Sequence, residues 1–170
     1  MNLAADAPLW LAMVLALLLI AGAVEDSARL RISNITCGLT AAAALAAMAV
    51  VGLEPAVWQN FAVFAALMAV GTVLFAAGKL GGGDVKLFAA TGLWFDLSGA
   101  LTMLICVLLA GGVLALLVLA LRMFGWNDAT RDRIVMLKAG GGIPYGVAIA
   151  AGSLFAVAVL RSQDALFAVG

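Results

Sequence analysis

The chain has 170 residues, 66% of them hydrophobic and 11% charged, with a mean hydropathy of +1.22. Soluble domains average about 45–50% apolar and about 25% charged, so this composition excludes a soluble domain and points to one compact helical bundle in a bilayer, a single integral-membrane domain over residues 1–170. Nine basic residues balance nine acidic ones and there is no histidine, which excludes Ser-His and Cys-His catalysis and leaves no expectation of a zinc site, a cofactor or a nucleic-acid partner.

Taken in chain order, the first uncharged stretch is 7–24. Its end, Ala21-Gly22-Ala23, has the small residues of a signal-peptide cleavage site, but Asp6 precedes the stretch and no basic residue does. An uncleaved helix with its N-terminus outside is therefore expected. Glu25, Asp26, Arg29 and Arg31 follow it. Further uncharged stretches cover 32–53, 55–78, 97–121 and 139–160, each long enough for a helix across about 30 Å of hydrocarbon. Cys37 and Cys106 stand alone inside such stretches and read as packing residues, with no paired-cysteine motif. The segment 125–138 is polar and mixed in charge, the pattern of a solvated connector.

The segment 83–95 is short, and topology decides how to read it. Lysines and arginines collect on the cytoplasmic side. Arg29 and Arg31, then Lys79 and Lys86, then Arg122, Arg131, Arg133 and Lys138 fall on one side only if the chain crosses twice between Lys79 and Arg122. The expected fold is thus an all-α polytopic bundle of six transmembrane helices, the fourth short, with both termini outside. Arg161 is then the one basic residue outside, alongside Asp6, Glu54, Asp96 and Asp164.

Two acids stand out in this frame. Asp84 lies in Gly81-Gly82-Gly83-Asp84-Val85-Lys86-Leu87. It reads either as the N-cap of the short helix or as a functional carboxylate at membrane depth. Three glycines exceed what a cap needs and would leave room for an extended peptide beside the acid. Asp26 reads as part of a hydrated flank of the first helix or as a partner of Asp84, since the first helix ends on the side where the fourth begins. Two neighbouring carboxyls share a proton. One takes a proton from water while the other polarises a carbonyl. Lys86 reads as an interfacial anchor, as a holder of anionic lipid headgroups, or as a charge that biases the acid pair. Two other readings stay open: a proton- or ion-coupled transporter using Asp84, and a structural subunit in which Asp84 only caps.

These residues resemble a family. Gly81 to Leu87 is similar to the GxGD motif of the type IV prepilin peptidases, intramembrane aspartyl proteases. Asp26, Arg31, Ile32 and Asn34 resemble the family's first-aspartate segment, and the run from Ile143 to Gly152 resembles its final-helix motif. The resemblance implies that Asp26 and Asp84 are the catalytic pair, with Gly81 and Gly83 as motif glycines and Lys86 matching the pattern. It implies cleavage of the basic leader from a pilin or pilin-like precursor at the cytoplasmic face of the bacterial inner membrane. The four-cysteine domain of the methylating members is missing, so N-methylation is not expected. The short form resembles the stand-alone peptidases of tight-adherence (Flp) pili. Ser33 stands where the family usually has proline, so a less rigid loop is expected there. Pro144 is read as lying just inside the last helix, with Gly146 and Gly152 as packing residues. Glu25, Asp128 and Asp132 are read as attracting the leader.

Overall fold

The computed structural model describes the backbone of residues 1–123 and 142–167 and the side chains of 1–123 and 142–163. All regular structure among them is helical. In chain order it comprises α1 (Leu3–Asp6), α2 (Leu9–Arg29), α3 (Asn34–Val51), a 3-10 turn (Pro55–Val57) running into α4 (Trp58–Ala76), α5 (Gly82–Gly92), α6 (Leu97–Met123) and α7 (Tyr145–Phe167). Five of these, α2, α3, α4 with its leading turn, α6 and α7, are long and apolar enough to cross a membrane. The protein is a multi-pass membrane protein. The polar connector and its acids Asp128 and Asp132 lie outside the described residues.

The helix starts follow from local chemistry. Pro8 precedes α2, where the N–H it lacks would have had no helical partner. Ser33 caps α3 by accepting the Thr36 N–H at 3.1 Å. Asp96, an outer-side charge by sequence, caps α6 by accepting the Gly99 N–H at 2.7 Å. Pro144, fully buried, is the residue before α7 rather than its first residue.

The short helix α5 is the centre of the bundle. Asp84, Val85, Leu87, Ala89, Ala90, Thr91 and Gly92 are all buried, and Leu93, Trp94 and Phe95 continue the buried run. The long helices around it turn their large apolar side chains outward. Met13, Leu17, Ile20 and Val24 of α2 and Leu101, Ile105, Leu108 and Leu116 of α6 are all exposed, as side chains facing lipid tails should be. A methyl group on Gly71 would meet Val85, and one on Gly92 would meet Leu67 and Val63, so α5 runs antiparallel to α4. Helices α6 and α7 are also antiparallel, with Gly152 against the Val107 backbone and Gly111 beside Ala148. The C-terminal ends of α2, α4 and α6 therefore share one end of the bundle with the N-terminal ends of α3, α5 and α7. Arg29, Arg31, Lys79, Lys86 and Arg122 lie at that end.

Helix α5 stops at Gly92, three residues short of the expected 83–95 segment. At 11 residues it rises about 16 Å at 1.5 Å per residue, about half a hydrocarbon core. The non-helical chain that follows survives because protein groups satisfy its backbone, the condition for irregular chain at membrane depth. Asn60 donates its side-chain amide to Leu93 O at 2.9 Å and to Met1 O at 3.0 Å. Ala4 N–H donates to Trp94 O at 2.9 Å, and the Trp94 indole donates to Thr40 O at 3.3 Å. Arg161 holds Ala4 O and Ala7 O. Helix α1, which hydropathy does not announce, closes this end with Leu3 and Ala4 fully buried.

Candidate active site

Asp26 ends a stripe. Leu11, Leu15, Leu19, Gly22 and Asp26 are the buried residues of α2 and recur every three or four positions, which keeps them on one face. The helix continues past the uncharged stretch to Arg29. It closes with Leu30 in a left-handed conformation (φ 49), whose N–H bonds Asp26 O at 2.8 Å. The Asp26 side chain is thereby delivered into the bundle, 3% exposed.

The next residues form a strap. Glu25, the neighbour of Asp26, faces it and accepts the Ser33 N–H at 2.7 Å, the Ser33 hydroxyl at 3.3 Å and the Thr36 hydroxyl at 2.9 Å. Ser33 therefore does not loosen the loop. Its N–H, which a proline would lack, is a tether to a carboxylate. Hydrogen bonds to charged groups contribute about 1.5–3 kcal/mol each where they are shielded from water; these are part-buried and sit toward the lower figure. Glu25, expected to attract a leader, is thus already engaged within the fold.

The strap carries Ile32 between the two acid-bearing helices. A methyl group on Gly83 would lie 3.0 Å from Ile32 O and 3.1 Å from Ile32 N, closer than ordinary carbon contacts of about 3.5 Å. Gly83 is glycine because the Ile32 backbone presses on it. On this side of Gly83 the space is taken by Ile32. Asn34 completes the clasp by accepting Lys86 Nζ at 2.8 Å. The ammonium is spent on Asn34 at an exposed position, not on the acids.

Asp84 is not the cap. Gly81 occupies that position in extended conformation, and Asp84 is the third helical residue. Its Oδ2 reaches back to accept the Gly81 N–H at 3.1 Å, one half of a capping box. A methyl group on Gly81 would sit 2.7 Å from that oxygen, so any side chain there would displace the carboxylate. Asp84 is 7% exposed, and its Oδ1 is buried with no hydrogen-bond partner among the described residues.

The two acids meet at the start of α7. Gly146 N–H donates to Asp26 Oδ2 at 2.7 Å. Ile32 links the two acids: its backbone packs on Gly83, the neighbour of Asp84, and its Cδ1 on Gly146, the donor to Asp26. Gly146 is the second residue of α7, where backbone N–H groups have no helical acceptor. A methyl group on it would lie 2.9 Å from Asp26 Oδ2 and 2.9 Å from Ile32 Cδ1. The final-helix motif, read as packing, thus also supplies a donor to Asp26. No cluster able to hold a metal ion is present among the described residues.

The model of the type IV leader peptidase family matches residues 13–121. The chain belongs to that family. The match takes in Asp26, the strap and Asp84, and ends before Gly146. This leader-peptidase family member has no match among curated proteins or solved structures.

Proposed function

We propose that the protein is an aspartic leader peptidase that removes the leader from pilin or pilin-like precursors at the cytoplasmic face of the inner membrane, using Asp26 and Asp84 as a proton-sharing pair. The observation that carries this reading is two carboxyl groups, each more than nine-tenths buried, at one end of the bundle: Asp26 takes the Gly146 N–H, and Ile32 packs on both Gly146 and Gly83, the neighbour of Asp84. Two like charges held close together away from water repel each other. Such a pair holds one proton between its members.

That state suits peptide hydrolysis. The ionised carboxylate takes a proton from a water molecule as the water oxygen attacks the scissile carbonyl carbon. The protonated carboxyl gives its proton to the carbonyl oxygen, and a neutral tetrahedral diol forms. A carboxyl then protonates the departing nitrogen, the C–N bond breaks, and the diol returns a proton to the pair. One water is consumed, one acid and one amine are released, and the pair again holds one proton.

Sidedness follows from charge. With Arg29, Arg31, Lys79, Lys86 and Arg122 at the site end of the bundle, the positive-inside rule assigns that end to the cytoplasm. A sixth crossing made by α5 and the buried turn after it puts both termini outside. Membrane lipid surrounds the bundle, and water reaches the acids from the cytoplasm without crossing hydrocarbon.

Co-expression with a pilin precursor tests the reading. The wild type is expected to yield the shortened product, and Asp26→Ala or Asp84→Ala the full-length precursor alone. Uncut precursor with the wild type, under conditions where the protein is folded, contradicts it. A transporter using Asp84 as its carrier site would give that result.

A further inference from the structure

An apolar groove of ≈ 620 Å³ lies between α4 and α6, beside α5 and α7. Ligand clefts are typically about 300–1,000 Å³. Leu67 and Val70 of α4, Leu108, Gly111 and Gly112 of α6, and Ile149 of α7 are among its walls. One end holds Lys79, Tyr145 and Asp84, the last being the single carboxylate among the described residues that line it.

Two independent features specify the occupant. The first is the wall at Gly111-Gly112. A methyl group on Gly112 would meet nothing within 4 Å, and one on Gly111 only Ala148, at 3.7 Å. In membranes, small residues that expose backbone are what let a second helix approach closely. The second is the Asp84 oxygen that lacks a partner. A buried carboxylate oxygen needs a donor. A hydrocarbon chain could cover the walls but has no donor, whereas an apolar peptide has both the surface and backbone N–H groups. A second groove, between α2 and α7, makes the contrast. It measures ≈ 540 Å³ and is lined by Ile20, Val24 and Ala28 among others, and its Ser27 hydroxyl is already bonded to Ala23 O at 2.7 Å. It offers lipid nothing but apolar surface.

We infer that the α4–α6 groove is the docking site for the apolar helix of the precursor. That helix lies against Gly111 and Gly112, and the unwound residues before it reach Asp84. The inference rests on the leader-peptidase reading. It divides recognition into two parts: apolar side chains of the precursor fill the groove within the bilayer, and the extended scissile segment meets the acids at the groove's end.

A photo-reactive phenylalanine placed at Val70, at Leu108 or, as control, at Ile20 tests this in full-length protein carrying Asp26→Ala, which keeps Asp84 and is expected to leave the precursor uncut. Irradiation in membranes with co-expressed pilin precursor is expected to give a protein–precursor adduct from Val70 and Leu108, not from Ile20. The adduct should disappear when the precursor's apolar segment is replaced by a polar one. Adducts of equal yield from Ile20, or adducts with lipid only from Val70 and Leu108, overturn the inference. Gly112→Trp, with Asp84 intact, should lower kcat/KM for the precursor by about tenfold or more with an unchanged melting temperature. Wild-type cleavage by that variant also overturns it. Should the wild type fail to cut the precursor while the adducts form as expected, the peptidase reading falls and the docking site stands.

Discussion

The two ends of α5 are built to opposite purposes. At its C-terminal end the chain leaves the helix, and the freed carbonyls are consumed: Leu93 O by Asn60, Trp94 O by Ala4 N–H. The amide oxygens of Asn2 and Asn60 are left without partners there, but a neutral amide is far cheaper to desolvate than a carboxylate. At the N-terminal end the helix brings a carboxylate into the bundle, binds one of its oxygens and leaves the other open. A second carboxylate is set at the same end, bound by the Gly146 N–H. The closed end holds the fold together and the open end retains unspent chemistry. Substitutions at the two ends should therefore separate stability from activity.

The largest effect short of removing an acid is expected at Gly146. Gly146→Val puts a branched side chain where even a methyl would lie 2.9 Å from Asp26 Oδ2. Precursor cleavage should fall by roughly a hundredfold or more, as when one active-site donor is lost, with most of the bundle's stability kept. Cleavage within a few-fold of wild type would show that Gly146 lies outside the machinery. The reciprocal effect belongs to Asn60. Asn60→Ala leaves two buried carbonyls unpaired and should cost about 1–3 kcal/mol, read as a lower melting temperature in detergent. The fraction that stays folded should cleave at the wild-type rate. A selective loss of turnover there would erase the distinction between the ends.

A smaller effect is expected in the strap. Glu25→Ala releases Ser33 and lets Ile32 drift from between the acids, so kcat should fall several-fold with KM little changed. Ser33 has φ −71, close to the roughly −65° that proline imposes. Adding Ser33→Pro to Glu25→Ala should therefore restore much of the rate by stiffening the loop without the tether. A double variant no better than Glu25→Ala would mean that the strap does not position the acids through its rigidity.

The architecture was legible wherever a long uncharged run met a charge, because the bilayer enforces both the length and the side. That is why α2, α3, α4 and α6 fall on the expected stretches and why Asp26 and Asp84 could be placed at one end of the bundle before any geometry was known. The boundaries were less legible, since a helix does not stop where hydrocarbon does: α2 runs on to Arg29 and α5 stops at Gly92. Helix α1 is too short to show in hydropathy and owes its place to Trp94 and Arg161. Gly146 escaped because its contribution is a backbone N–H, which every residue but proline carries. Its position at a helix start beside a motif proline was the available signal. The partners of Gly83 and Glu25 within the fold were not legible. Composition shows that a glycine makes room and that a carboxylate attracts cations; only the fold shows that Ile32 takes the room and that Ser33 and Thr36 take the carboxylate.

The most direct measurement is precursor cleavage by Asp84→Asn, alongside its melting temperature. An asparagine amide oxygen can still accept the Gly81 N–H, so the helix start should hold and the melting temperature stay near that of the wild type. It cannot share a proton with Asp26, and cleavage should fall by roughly a thousandfold or more. A folded Asp84→Asn protein that matures the precursor at the wild-type rate would contradict the paired-acid account.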